Sequence, residues 1–272
     1  MSALNKLLAS GEKSKSMLCV GLDIDPGRIP PSCGEALKGM FQFAARIIDA
    51  TADIVAAYKP NMGFFEALGP DGLSLLKLIR ARIPADIPVI LDGKRGDIGN
   101  TAEFYAKAAF DIYGADWVTV NPYMGQDSLQ PFLDRADRGT FVLCLTSNPG
   151  ARDFQWLEAD GAPLYLHVAR KAASWNRHGN CGLVVGATFP EQMVAIREAA
   201  GEMPLLIPGI GAQGGDLEKA VRNGTAEFNR PAIINVSRAV LYASGGDDFD
   251  QAARATVEKL NGRINDLRRA RP

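Results

Sequence analysis

The sequence predicts an α/β protein, a (β/α)8 TIM barrel, with a single catalytic domain spanning 1–272. Three observations predict it. Eight short apolar runs recur along the chain, a segment of helical period follows each run, and no linker or composition break divides the 272 residues. Eight β–α units in about 250 residues is the expected size of such a barrel. A doubly wound open sheet is the rival arrangement of the same units.

The runs are MLCVGLD (17–23), DIVAAYK (53–59), IPVILDGK (87–94), DWVTVNP (116–122), TFVLCLT (140–146), GLVVGAT (182–188), LLIPG (205–209) and AIINVS (232–237). Each is short, often β-branched, and bounded by Gly, Pro, Asn or Asp. Their apolarity is continuous rather than alternating, which fits parallel strands buried on both faces. Between them, Met40, Phe41, Ala44, Ile47 and Ile48 share a helical face, as do Phe104, Tyr105, Ala108, Ala109 and Ile112. The last segment places Phe249, Ala252, Ala253, Thr256, Val257 and Leu260 on one stripe. The longest irregular stretches, 24–36 and 147–161, come directly after strands. In a barrel those are loops of the C-terminal face, where chemistry is placed.

Composition narrows the function. Apolar residues make up 47% and charged residues 22%, with a net charge of -1. A chain that grips long nucleic acid usually carries a basic surplus, so nucleic acid is not an expected partner. No run of 18 apolar residues occurs, so neither is a membrane. The first sixteen residues hold no apolar core of signal-peptide length. Cys19, Cys33, Cys144 and Cys181 are widely spaced and form no C-x-x-C, which suits a reducing compartment. The expected location is the cytoplasm. The two histidines, His167 and His178, fall in one helical stretch and read as helix-surface residues. So few histidines leave little scope for a metal site or a His-dependent triad.

The densest charge cluster is Asp92-Gly93-Lys94-Arg95-Gly96-Asp97, followed by Ile98-Gly99-Asn100-Thr101. It ends the third run and begins a helix. Asp92 and Lys94 are two apart, so an extended chain points both to one face. Lys59 and Asp23 end the second and first runs in the same way. Asp-Gly-Lys also suits a hairpin turn, but a helix rather than a paired strand follows it. Pro208-Gly209-Ile210-Gly211-Ala212-Gln213-Gly214-Gly215 follows the seventh run and precedes a helix. Glycine backbone there can aim N–H groups at a phosphate. The same stretch contains a formal G-x-G-x-x-G, but one remaining strand is too few for a dinucleotide-binding half. Arg238, at the end of the eighth run, offers a fork of donors beside this loop. Asn121-Pro122-Tyr123-Met124-Gly125 and Thr146-Ser147-Asn148-Pro149-Gly150 close the fourth and fifth runs as turns. Ser147 and Asn148 could equally serve as neutral partners for a base edge.

At these residues the chain resembles the orotidine 5′-phosphate decarboxylase family. The pattern D-x-K-x-x-D-I-x-x-T appears as Asp92, Lys94, Asp97, Ile98 and Thr101. GLD at 21–23, YKPN at 58–61, TSNPG at 146–150, PGIGAQGG at 208–215 and SRAVLY at 237–242 extend it over nearly the whole chain. DGKRGDIGNT with NPYMGQDSL is similar to the bacterial long-loop branch. The resemblance implies a (β/α)8 barrel that works as a homodimer and converts orotidine 5′-monophosphate to UMP and CO2, the last step of de novo pyrimidine nucleotide synthesis, without metal or organic cofactor. It implies a catalytic array of Lys59, Asp92, Lys94 and Asp97. Asp97 and Thr101, with Ile98 between them, would reach into the partner's site. Asp23 and Lys59 would hold the ribose hydroxyls, Ser147 the pyrimidine, and Gln213 and Arg238 the phosphate beside Pro208.

The chemistry is consistent with that array. Loss of CO2 from C6 of a pyrimidine leaves a vinyl-type carbanion that no carbonyl is placed to delocalise. A protein must then stabilise the charge electrostatically. An ammonium at C6 does so and can donate the proton, and carboxylates flanking Lys94 favour its charged form. A Schiff-base aldolase would want a lysine in an apolar setting instead. A histidine-and-metal epimerase lacks its ligands here. A nucleotide-binding module without catalysis and a nicotinamide-dependent dehydrogenase are the readings from other classes.

Overall fold

The computed structural model describes residues 1–210, 214–225 and 231–270. Eight parallel strands form one sheet: β1 (Leu18–Gly21), β2 (Ala57–Lys59), β3 (Ile90–Arg95), β4 (Trp117–Val120), β5 (Gly139–Leu145), β6 (Cys181–Val185), β7 (Leu205–Ile207) and β8 (Ala232–Val236). Every predicted run supplies one strand. Neighbours in space are neighbours in sequence, and β8 pairs with β1 through Leu18↔Ile234, Cys19↔Asn235 and Val20↔Val236. The remaining seam, β2 to β3, is joined by the bridges Tyr58↔Val89 and Asn61↔Asp92. Tyr58 N donates to Pro88 O at 3.1 Å and Asp92 N to Pro60 O at 2.9 Å. The sheet therefore closes on itself as a barrel, and the open-sheet rival falls away.

Alternation along each strand fills the interior. Cys19, Ala57, Ile90, Trp117, Phe141, Val184, Leu206 and Ile233, one from each strand, form an apolar plug inside the barrel. Trp117 stacks on Phe141 with centroids 4.5 Å apart. Gly139 makes room, since a Cβ there would lie 2.1 Å from the indole. The opposite strand faces pack on the helices in a second, larger core that includes Met40, Phe43, Ile47, Phe249, Val257 and Ile264. The terminal stripe from Phe249 is thus the buried face of helix Phe249–Arg269, as expected.

Three local features depart from the sequence reading. The first segment forms a helix, Ala3–Ser14, capped by Ser2, whose Oγ accepts from Asn5 N. It seals the N-terminal end of the barrel: Ala3 and Leu7 join the plug, Ala3 O accepts from Trp117 Nε1, and Lys6 Nζ lies 2.7 Å from Asp116. Helix Gly99–Lys107 passes into a π turn at Ala108–Ile112, and the face it buries is not the one the sequence reading chose. Ala102, Ala106, Ala109 and Phe110 become the buried face. Phe104 and Ile112 are exposed and Tyr105 lies at the surface instead of in the core. His167 lies on helix Leu164–Trp175, where Nε2 meets Ala159 O at 2.7 Å, but His178 falls in the turn after that helix. Among the described residues no helix is long and apolar enough to cross a membrane.

Candidate active site

The strand parity that buries the plug also aims the next inward residues at a cavity of about 520 Å³ above it. Its walls include Asp23, Lys59, Asp92, Lys94, Thr119, Ser147, Pro208, Asn235 and Arg238. All lie at or just beyond the C-terminal ends of their strands, the face on which barrels place chemistry. Leu143, Val184 and Leu206 line the wall between β5 and β7. The β1–β3 side of the cavity is charged, and the β5–β8 side combines this apolar floor with the polar groups of Thr146, Ser147, Asn148, Gln155, Asn235 and Arg238.

Asp92 is the centre of the charged wall. Its Oδ2 accepts from Lys59 Nζ at 2.9 Å, and its Oδ1 accepts from Lys94 Nζ at 2.7 Å. Burial opposes ionisation of Asp92, but the Lys59 and Lys94 ammoniums outweigh it and hold the carboxyl well below the usual carboxylate range. Burial likewise opposes the charge of Lys59, and Asp92, then Asp23, outweigh it and hold the ammonium above its ordinary value. Lys59 is 3% exposed, whereas the Lys94 side chain is 48% exposed and opens to the cavity. Beneath them, burial pushes the Cys19 thiol up to about 12, so Cys19 remains a neutral packing residue.

Lys94 reaches this site by a route that simple alternation does not describe. The β3–β4 register steps from Leu91↔Val118 to Arg95↔Val120, so Asp92, Gly93 and Lys94 all lie opposite Thr119. In this bulge Lys94 has φ of 45°, in the left-handed region that side chains rarely occupy. Bulges of this kind re-aim a side chain beside an active site.

The other predicted residues divide into three groups. Asp23, Ser147, Pro208 and Arg238 join the cavity wall. Among the described residues, one buried oxygen of Asp23 has no hydrogen-bond partner and Arg238 makes no ion pair. Ser147 packs against Gly186, where a Cβ would stand 2.7 Å from the Ser147 nitrogen. Asp97, Ile98 and Thr101 do not line the cavity. Asp97 is partly exposed at the helix start, its Oδ1 accepting from Ile98 N at 2.8 Å, and Ile98 and Thr101 are exposed. Gln213 lies outside the described residues. Around it, Gly215 N donates to Gly209 O at 3.0 Å, and Gly209 and Gly214 take φ of 99° and 78°. A Cβ on Gly215 would stand 2.6 Å from that carbonyl oxygen. Glycine is what permits this geometry at 209, 214 and 215.

Sequence reasoning missed Thr119, Asn235 and Gln155. The first two hide within apolar strands, where one inward polar residue leaves no pattern. Gln155 bonds to both the backbone N–H and the hydroxyl of Thr146, each at 2.8 Å, and fixes the loop that carries Ser147 and Asn148.

Comparison with known proteins agrees with this geometry. The family model "Orotidine 5′-phosphate decarboxylase / HUMPS family" matches residues 16–255. An orotidine 5′-phosphate decarboxylase of Herpetosiphon aurantiacus is 52% identical over 257 residues, covering 94% of this chain and 95% of the relative. The solved OMP decarboxylase of Leishmania donovani superposes with a TM-score of 0.88 at 39% identity, covering 100% of both chains. A structure from Toxoplasma gondii described as a putative orotidine-monophosphate decarboxylase gives 0.90 at 39% identity over 97% of this chain and 96% of its own. With the barrel, the Asp92-centred array and these likenesses together, the chain belongs to the orotidine 5′-phosphate decarboxylase / HUMPS family.

Proposed function

We propose that the protein decarboxylates orotidine 5′-monophosphate to UMP and CO2, as the last step of pyrimidine nucleotide synthesis. The observation that carries this function is the Lys59–Asp92–Lys94 array at the charged wall of the cavity. The ribose hydroxyls meet Asp23 and Lys59, and the pyrimidine meets Ser147. The phosphate meets Arg238 and the glycine loop after Pro208, with Gln213 as a further donor. Pairing with Asp92 keeps Lys59 charged in its buried position. The Asp23 oxygen that has no partner among the described residues is suited to accept from a hydroxyl.

In the reaction the C6–carboxylate bond breaks. CO2 leaves and the electron pair stays on C6. The Lys94 ammonium, held at the array by Asp92, stabilises that pair and then transfers a proton to C6. Solvent reprotonates Lys94 after product leaves. Contacts to the remote phosphate favour closure of the site around the reacting end. No step calls for a metal or an organic cofactor.

The active unit is a homodimer in which Asp97, Ile98 and Thr101 complete the partner's site. Their position outside their own cavity supports this, as do exposed Ile98, Phe104, Tyr123 and Met124 around the same end of the barrel. Residues 1–272 act as one catalytic domain. The four cysteines are buried and free, in keeping with the cytoplasm. The test is to add orotidine 5′-monophosphate to purified, chelator-treated protein and follow UMP. Failure to form UMP, or formation that requires added Zn2+ or Mg2+, would overturn the proposal.

A further inference from the structure

Thr119 sits on β4 directly opposite the three residues of the β3 bulge, and it is 1% exposed. Its hydroxyl donates to Asp92 Oδ1 at 2.8 Å and accepts the backbone N–H of Lys94 at 3.0 Å. The direction of both bonds is fixed by chemistry. A backbone N–H can only donate, and an ionised carboxylate can only accept. The hydroxyl rotor is therefore fully determined. One side chain ties the carboxylate oxygen that receives Lys94 Nζ to the strained backbone of Lys94 itself. Left-handed lysine persists only where its surroundings over-determine it, and Thr119 supplies a bond to the amide inside the bulge.

We propose that Thr119 is a positioning residue for the decarboxylation described above. It acts through Asp92 and Lys94, setting the carboxylate orientation and the bulge that together present the Lys94 ammonium to the reacting carbon. This rests on the proposed function. Thr119 bonds Asp92 Oδ1, whereas Lys59 keeps its own bond to Oδ2, and the phosphate and pyrimidine are assigned to Arg238 and Ser147, so loss of the hydroxyl should lower turnover and leave nucleotide affinity in place.

The experiment compares the wild-type protein with Thr119→Val and Thr119→Ser. Valine keeps the volume and β-branching of threonine and removes both bonds. Serine restores them. Turnover of orotidine 5′-monophosphate and the calorimetric Kd for UMP are measured on each. Thr119→Val should lose about 10- to 100-fold in kcat, the scale of a small misplacement of a reacting group. Its UMP affinity should stay within about threefold, and Thr119→Ser should recover most of the kcat. A Thr119→Val protein with wild-type kcat would overturn the proposal. So would equal losses in kcat and UMP affinity, or a Thr119→Ser protein as impaired as Thr119→Val. If Thr119→Val does not fold, Thr119→Ala is judged by the same criteria. A wild-type protein without turnover overturns the proposed function itself, which separates that failure from one confined to Thr119.

Discussion

The Asp92 carboxylate and the Lys59 ammonium meet at 2.9 Å, with Lys59 only 3% exposed. Asp92→Asn leaves that ammonium buried without its main partner and should destabilise the fold by about 3–5 kcal/mol. The effect has a defined pH dependence. A carboxylate whose folded pKa is depressed contributes fully above its unfolded value, near roughly 3.9. That contribution is lost as pH falls through the folded value. Lys59, whose folded pKa is raised, contributes fully below roughly 10.4 and loses its contribution as pH rises through the folded value. The stability gap between wild type and Asp92→Asn should therefore be constant from about pH 5 to 7 and narrow below about pH 4. Denaturant unfolding at a series of pH values measures it, and a gap that shrinks by pH 6 would contradict the pairing.

Lys94→Ala should abolish turnover while the barrel and UMP binding persist. The Lys94 side chain is half exposed in the cavity and does not belong to either apolar core. A positioned proton donor alone is worth about 10²–10⁴-fold. Retention of more than about one hundredth of the wild-type kcat would remove Lys94 from the proton-donor role.

Arg238→Ala should weaken UMP more than uridine. Arg238 lines the cavity at the start of helix Arg238–Leu241, beside the glycine loop. A charge-assisted bond is worth about 1.5–3 kcal/mol, or roughly 10- to 100-fold in Kd. Equal losses for nucleotide and nucleoside would place Arg238 away from the phosphate.

Gly186→Ala should raise KM with a modest cost in stability. The new Cβ would meet Ser147 backbone nitrogen at 2.7 Å, a contact that forces the Ser147 loop to move. Overpacking of this kind costs about 1–3 kcal/mol. Steady-state kinetics and thermal unfolding check it; an unchanged KM would mean that Ser147 does not set substrate position.

Lys94→Ala and Asp97→Ala proteins should complement each other. Each is nearly inactive alone. In a mixed dimer, one site joins a normal Lys94 to the partner chain's normal Asp97, and the other site carries both lesions. With free subunit exchange half the dimers are mixed, so activity should recover to about one quarter of wild type, by two-fold symmetry. Specific activity after co-refolding equal amounts is the measurement. No recovery, with mixed dimers confirmed by mass, would place Asp97 in its own chain's site or outside catalysis.

Much of this protein was legible without coordinates because its signals are local. Continuous apolar runs ending in Asp23, Lys59 and the Asp92–Lys94 pair identify both the strands and the mouth of the barrel, since strand ends and chemistry coincide in this fold. Glycine is needed at 209 and 214 because both take left-handed backbone, and at 215 because a Cβ would strike Gly209 O. What the tertiary structure decided depends on residues distant in the chain. Phe104 and Ile112 are periodic with their neighbours, yet packing buries the alternative stripe of Ala102, Ala106, Ala109 and Phe110 and leaves both exposed. The helix Ala3–Ser14 gains its place only from the open end of a closed barrel, where Ala3 and Leu7 meet Trp117 and Phe141. Thr119 looks like one more β-branched strand residue until the β3 bulge sets Asp92 and Lys94 against its hydroxyl. Sequence determined the units and the charges because periodicity and residue chemistry are properties of short segments. Register, closure and the direction of each hydrogen bond are properties of pairs of segments, and they exist only once those segments are packed.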